Sequence, residues 1–258
     1  MENPKIKVSA VSYLNTLPFI FGINNSEVVN DIDLSLDIPS DCGMKLLSGE
    51  VDLGLVPVAI LPQLKEYHII SDYCIGAEGK VDSVALYSDV PLDEIDSVYL
   101  DYQSKTSVNL VKVLADKYWK IAPKWVDSTV GFEDEISGNT AGVIIGDRTF
   151  NLSKTYQYKY DLAEEWFRFT GLPFVFACWV SNKKLSASFI TKFNAALRIG
   201  VTNIDEVILG YNENDISNDM LKRYLTKNIS YFLDDNKQKA IKEFLSHIGT
   251  EEVLISES

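Results

Sequence analysis

Apolar and polar positions alternate over residues 6–10, where Ile6, Val8 and Ala10 are separated by Lys7 and Ser9. A period of two is the pattern of a strand with one face buried. The run leads into Ser12-Tyr13-Leu14-Asn15-Thr16, and Pro18 follows, a residue that suits the first turn of a helix because its missing N–H is no loss there. The polar cluster is therefore expected on a strand-to-helix turn. In open α/β sheets such turns lie at the carboxyl edge of the strands, where ligands bind, which makes Asn15 the lead candidate for chemistry.

The design recurs along the chain. Residues 32–38 alternate strictly and predict a second strand; Pro39-Ser40 then opens a helix with Ser40 as its expected N-cap, Met44, Leu46 and Leu47 as its apolar stripe and Gly49 as its stop. Residues 51–58 form a short apolar run ended by Pro57, a buried strand, so strand, helix and strand make a βαβ unit. Residues 83–88 predict another strand, Pro91 breaks the pattern, and residues 98–100 resume it after an expected crossing to a second lobe. Residues 101–119 repeat the opening: a strand end, a polar turn carrying Ser104, Thr106 and Ser107, and a helix with Val108, Leu110, Val111 and Leu114 on its apolar face. A strand over residues 141–145 ends in Gly146-Asp147-Arg148, again polar residues at a carboxyl edge. The apolar run 171–180 is the expected return crossing. Beyond it the pattern reads as wholly helical, over residues 186–203, 220–227 and 236–247, with a frayed tail at 251–258.

Two βα halves with two crossings, the second half inserted into the first, describe an α/β chain with a two-lobed type II periplasmic-binding-protein-like fold and a cleft between the lobes. Residues 1–89 and 176–258 are the expected first lobe, and 90–175 the inserted second.

Composition narrows the partners. The 258 residues include 37 acidic and 24 basic side chains, a net charge of -13, which argues against a nucleic-acid or anionic-membrane surface. An anionic ligand would have to be held locally, by helix N-termini and hydroxyls. Three cysteines, Cys42, Cys74 and Cys178, are odd in number and widely spaced, so neither a disulfide framework nor a zinc site is indicated, and a reducing compartment fits. No basic segment followed by a long apolar run opens the chain, and no apolar run reaches about 18 residues, so a cytoplasmic location is expected. Neither His68 nor His247 falls on a carboxyl-edge turn, and Cys178 sits in an apolar run; all three are expected to be structural. No metal or cofactor is called for.

The segments collected so far, Ser12-Tyr13-Leu14-Asn15-Thr16-Leu17-Pro18, Gly49-Glu50-Val51-Asp52-Leu53-Gly54-Leu55-Val56-Pro57-Val58, Ser83-Val84-Ala85-Leu86-Tyr87-Ser88, Ser104-Lys105-Thr106-Ser107 and Thr170-Gly171-Leu172-Pro173-Phe174-Val175-Phe176-Ala177, together resemble the chorismate dehydratase (MqnA) family of menaquinone biosynthesis. Their order and spacing match over most of the chain up to about Val180. The resemblance implies a two-lobed enzyme of the futalosine route that dehydrates chorismate, a small dicarboxylate, to 3-[(1-carboxyvinyl)oxy]benzoate without a cofactor. A relative that makes 1,4-dihydroxy-6-naphthoate in the same route shares the layout and stands as the alternative, as does a binding protein that holds a small anion unchanged.

Chorismate carries two carboxylates and a ring hydroxyl, so its site needs anion donors. On the resemblance, Asn15 and Ser83 are the expected catalytic contacts, with Ser88 the fallback if the strand register shifts. Thr16, Ser40, Ser104, Thr106, Ser107 and Asp147 are the expected substrate-binding set. The plainer readings are an Asn that closes a turn, hydroxyls that cap a helix and an Asp147–Arg148 ion pair. Because no protein base stands out, the substrate's own enolpyruvyl carboxylate is the expected acceptor of the ring proton.

Overall fold

The computed structural model describes residues 4–211 and 216–248, so the tail expected at 251–258 lies outside the described residues. The amino-terminal alternation becomes β1 (Ile6–Val11), a 3-10 turn over Leu14–Thr16 and α1 (Leu17–Asn24) with Pro18 in its first turn. β2 (Ile32–Asp37), α2 (Pro39–Ser48) and β3 (Leu53–Pro57) complete the βαβ unit. Gly49 ends α2 at φ 75, the left-handed conformation that glycine adopts at no steric cost. Ser40 is not the N-cap: Ile38 holds that position and caps with no side chain, because Pro39 already fixes the first helical residue.

A long strand, β4 (His68–Ala77), precedes the passage to the second sheet. The Gly76 segment reads as loop in the sequence, since β4 mixes Ser71, Asp72, Cys74 and Gly76 among its apolar positions and has strand partners on both sides. The second half then runs β5 (Val84–Ser88), β6 (Ser97–Leu100), α3 (Thr106–Val113), β7 (Lys124–Asp127), β8 (Thr140–Ile145), β9 (Tyr158–Asp161) and α4 (Leu162–Thr170). The chain returns as β10 (Phe174–Ser181), then α5 (Ala187–Thr202), α6 (Ile204–Leu209), α7 (Asn218–Arg223), β11 (Ser230–Phe232) and α8 (Asp235–Ile248). The carboxy-terminal third is thus not wholly helical: three residues of it pair antiparallel with β4.

Two sheets result. The first is ordered β11-β4-β10-β3-β1-β2 and the second β7-β6-β8-β5-β9. β1 runs parallel to β2 and β3, β10 is antiparallel to β3 and β4, and in the second sheet β6 is parallel to β7 and β8. β5 pairs with β8 and β9, so the first crossing comes before residue 84, ahead of the place near residue 89 where Pro91 suggested it. A strand buried at every position, such as β5, carries no sign of which sheet it joins. Residues 78–83 therefore form one crossing, and Ser83 lies within it. Asp161 secures this passage: its carboxylate accepts from the N–H groups of Val81 (3.1 Å) and Asp82 (2.7 Å) and also caps α4 through Ala163 and Glu164.

The core runs through both sheets, with Trp166, Trp179, Phe19, Phe174 and Phe193 among its fully buried side chains. Each such side chain contributes about 2–3 kcal/mol over an exposed one. α1 lies directly on α5 where Gly22 meets Gly200; a Cβ on Gly200 would stand 1.5 Å from the Pro18 carbonyl oxygen, so only glycine permits this approach. No helix among the described residues is long and apolar enough to cross a membrane.

Candidate functional site

The cleft between the halves is a pocket whose wall includes Tyr13, Asn15, Ser83, Ser104, Thr106 and Ser107, with Val11, Pro39, Pro57, Ile145 and Phe176 as apolar lining. Two polar turns picked out by pattern, those of Asn15 and of residues 104–107, thus converge with Ser83, which the family resemblance singled out. Asn15 sits on the short turn after β1, Ser83 in the crossing before β5, and residues 104–107 at the start of α3.

Hydrogen bonds draw the two halves together around this pocket. The Tyr13 hydroxyl donates to the side-chain oxygen of Gln103, and the Ser40 N–H donates to the Gln103 carbonyl at 3.1 Å. The Leu14 N–H donates to both Asp147 carboxylate oxygens at 3.2 and 3.1 Å. Gly146 makes that approach possible: at φ 71 and ψ -159 it occupies backbone space open mainly to glycine, and a Cβ there would stand 2.7 Å from the Tyr13 ring. At the other end, the Thr106 hydroxyl donates to the Phe176 carbonyl at 3.0 Å and accepts from the Ala59 N–H at 3.3 Å.

Not every expected residue faces the pocket. Thr16 is buried and spends its hydroxyl on the Asn15 side-chain oxygen at 3.2 Å, so it orients Asn15 rather than a ligand. Ser40 offers the cleft a backbone N–H that Gln103 already takes. Asp147 is not among the described lining of the pocket; its carboxylate accepts from the Leu14 N–H across the cleft, while Arg148 pairs with Asp101 and Glu133. Ser104 caps in part, accepting from the Ser107 N–H at 2.9 Å, while Thr106 ties the lobes as described. Ser88, at the end of β5, folds back on Val90 and does not line the pocket, whereas Ser83, just ahead of β5, does. His68 pairs with Glu66, His247 with Glu243, and Cys178 is core, as expected of structural residues.

The pocket's electrostatics are those of neutral donors. Tyr13 is the one titratable side chain of its described lining, and burial, then the nearby Asp101 carboxylate, push its hydroxyl well above its ordinary value. Arg148 is committed elsewhere: it pairs with Asp101 and Glu133 and lies 5.6 Å from the centre of the Tyr102 ring. Asp101 also accepts from the N–H groups of Gln103 (3.0 Å) and Ile145 (2.9 Å), so this ion pair frames the loops at 101–107 and 145–148. Burial holds the Asp101 carboxyl above its ordinary range in spite of Arg148. No cluster of His, Cys, Asp or Glu that could hold a metal occurs among the described residues.

One participant escaped the pattern analysis. Tyr224, just past α7 and buried, places its hydroxyl 2.7 Å from Ser83 Oγ and accepts from Asn15 Nδ2 at 3.4 Å. Its ring meets Phe150 of the second half edge-on at 5.0 Å. Tyr231 on β11 adds a 2.9 Å bond from its hydroxyl to the Asn15 carbonyl. A tyrosine in a helical pattern reads as core, and no local signal marks it otherwise.

Comparison with known proteins places this geometry. A chorismate dehydratase of Thermus thermophilus is 26% identical over 232 residues, covering 82% of this chain and 85% of that one. Among solved structures, a protein of Archaeoglobus fulgidus superposes with a TM-score of 0.74 at 13% identity, covering 97% of this chain and 98% of that one. A Candida albicans gene product described as having the generic periplasmic binding protein fold follows at 0.68 and 15%, covering 99% and 92%. At such identities these structures speak for the fold alone, which is the two-lobed periplasmic-binding-protein type. A family model described as menaquinone biosynthesis matches residues 6–249, and the chain therefore belongs to the menaquinone-biosynthesis family.

Proposed function

We propose that this protein dehydrates chorismate to 3-[(1-carboxyvinyl)oxy]benzoate. The observation that carries this reading is a two-walled pocket whose described lining offers the Asn15 amide and the Ser83, Ser104 and Ser107 hydroxyls but no carboxylate, imidazole or amine to act as a base. Such a lining suits a substrate that brings its own base. In the reaction, a ring C–H bond breaks and its electron pair forms the new ring double bond; the ring C–O bond breaks, and hydroxide leaves to join the proton as water. The enolpyruvyl carboxylate of the bound substrate takes the proton.

Asn15 and Ser83 are the catalytic residues of this reading, aimed at the leaving hydroxyl and the ring-side oxygen atoms. The segment leading into α3, where Ser104 and Ser107 line the pocket, receives a carboxylate through these hydroxyls and the positive end of the helix. Closure of the halves through Tyr13, Leu14 and Gln103 excludes water, which strengthens each of these neutral donors. Removing one such donor costs about 10²–10³-fold in turnover. Asn15→Ala and Ser83→Ala are therefore expected to lose chorismate turnover by that factor while melting near the parent temperature. Turnover at the parental rate in both variants would remove them from the mechanism, and release of no aromatic product by the parent chain would remove the reaction itself. In that second case cyclic de-hypoxanthine futalosine tests the naphthoate-forming alternative.

A further inference from the structure

The polar chain Thr16–Asn15–Tyr224–Ser83 crosses the back of the pocket and has a direction. The Thr16 hydroxyl donates to Asn15 Oδ1, which fixes the amide so that Nδ2 faces Tyr224. An amide nitrogen only donates, so the Tyr224 oxygen accepts. The phenolic hydrogen is then free to donate, and Ser83 Oγ stands at 2.7 Å to receive it. Ser83 is 1% exposed and lines the pocket, so with its oxygen accepting from Tyr224 its own hydrogen is left to donate. Asn15 also lines the pocket, and the second hydrogen of its amide is not used by Tyr224.

We propose that Tyr224 is a positioning residue, supplied by the carboxy-terminal segment, that turns the Ser83 hydroxyl hydrogen and the Asn15 amide into the cleft together. This rests on the reaction proposed above, in which Ser83 acts as a donor. The ring itself is held by Phe150 of the other half, so the oxygen is set only when the halves are closed. Tyr224 does not line the pocket and acts through its two neighbours.

Tyr224→Phe keeps the ring packing and deletes only the oxygen. The expected result is a fall in kcat for chorismate of about 10- to 100-fold with KM changed by less than about threefold, since the lost interaction orients a donor and does not bind substrate. In a Ser83→Ala background the same substitution should cost several-fold less in kcat than it does in the parent, because the share carried through Ser83 is already lost and only the share carried through Asn15 remains. Parental kcat in Tyr224→Phe, or an undiminished effect in the Ser83→Ala background, overturns the inference. A readout independent of turnover is the phenolic proton of Tyr224 in protein labelled at the tyrosine ring carbons. It should exchange slowly in the unsubstituted protein and shift or exchange faster in Ser83→Ala. A resonance that is absent, or unmoved by Ser83→Ala, overturns the inference even if Tyr224→Phe fails to fold. Should the parent chain leave chorismate unchanged, the reaction fails by itself and this resonance alone decides the hydrogen-bond assignment.

Discussion

Replacing Gly200 by alanine tests whether the close approach of α1 and α5 is what holds the Asn15 turn in place. The added Cβ would lie 1.5 Å from the Pro18 carbonyl oxygen and 2.4 Å from its carbon, whereas real Cβ atoms essentially never come within 3.0 Å of such atoms. The obstacle is backbone on both sides, so no side chain can swing aside. The helices must separate by about 1.5 Å, the difference between those limits, along a contact that also includes Gly22. Overpacking of this kind costs about 3 kcal/mol or more, of which alanine's better helix propensity returns about 1 kcal/mol. A net loss of about 2–3 kcal/mol lowers the melting temperature by about 5–10 °C in a chain of this size. Pro18 is three residues from Asn15, so the 3.4 Å contact between Asn15 and Tyr224 does not survive the shift, and chorismate turnover falls by about tenfold or more. Gly49→Ala is the control. It has a positive φ of 75 but nothing within 4 Å, so it should cost only the left-handed strain of about 1 kcal/mol and spare turnover. Thermal melts followed by circular dichroism, with turnover on the same preparations, read both effects. A Gly200→Ala protein that melts within about 1 °C of the parent, or a Gly49→Ala protein that loses as much, would refute the reasoning.

Asp147→Asn keeps the shape of the contact with the Leu14 N–H but removes its charge, and hydrogen bonds to charged groups are worth about 1.5–3 kcal/mol. Because this bond joins the two halves, kcat/KM for chorismate should fall about tenfold with little change in melting; unchanged kcat/KM would show that closure does not depend on it. Stability should also fall with acid through Glu78. Hydrogen bonds from buried Lys237 (2.7 Å) and from Ser230 (2.8 Å), with the charge of Lys237, hold its carboxyl below the ordinary value of 4.5. A carboxyl lowered in the folded state contributes stability that is complete above its unfolded value and is lost as pH falls through the folded one. Denaturant midpoints taken below pH 5 should therefore drop less steeply in Glu78→Gln than in the parent, and equal slopes would discount the pair.

Local chemistry made much of this molecule legible. The alternation at Ile6, Val8 and Ala10 followed by Pro18 fixes β1, the turn and α1, since side-chain period and proline geometry act within a few residues. The same holds for α2, stopped by Gly49, and for α5, capped by Ser186. Asn15 and residues 104–107 were readable because each follows the carboxyl end of a strand, whereas Ser83, which precedes β5, was expected only from the family resemblance. Membership of β5 in the second sheet was not readable, for its five buried positions satisfy either sheet. β11 escaped because three residues carry too little periodicity, and its partner β4 mixes polar and apolar positions. The contact of Asp147 with the Leu14 N–H was not readable, because that N–H is brought from the other half, 133 residues away in sequence. Tyr224 shows the same limit most clearly: its hydroxyl partners are 141 and 209 residues away in sequence, and only the fold brings them together.

The most direct test of the central claim is incubation of the purified chain with chorismate, followed by ultraviolet absorbance and mass spectrometry of the product. The expected result is an aromatic product lighter than chorismate by one water, formed without added metal or cofactor and lost about 10²-fold or more in Asn15→Ala. Chorismate recovered unchanged from the parent chain, or a product formed equally fast by Asn15→Ala, would contradict it.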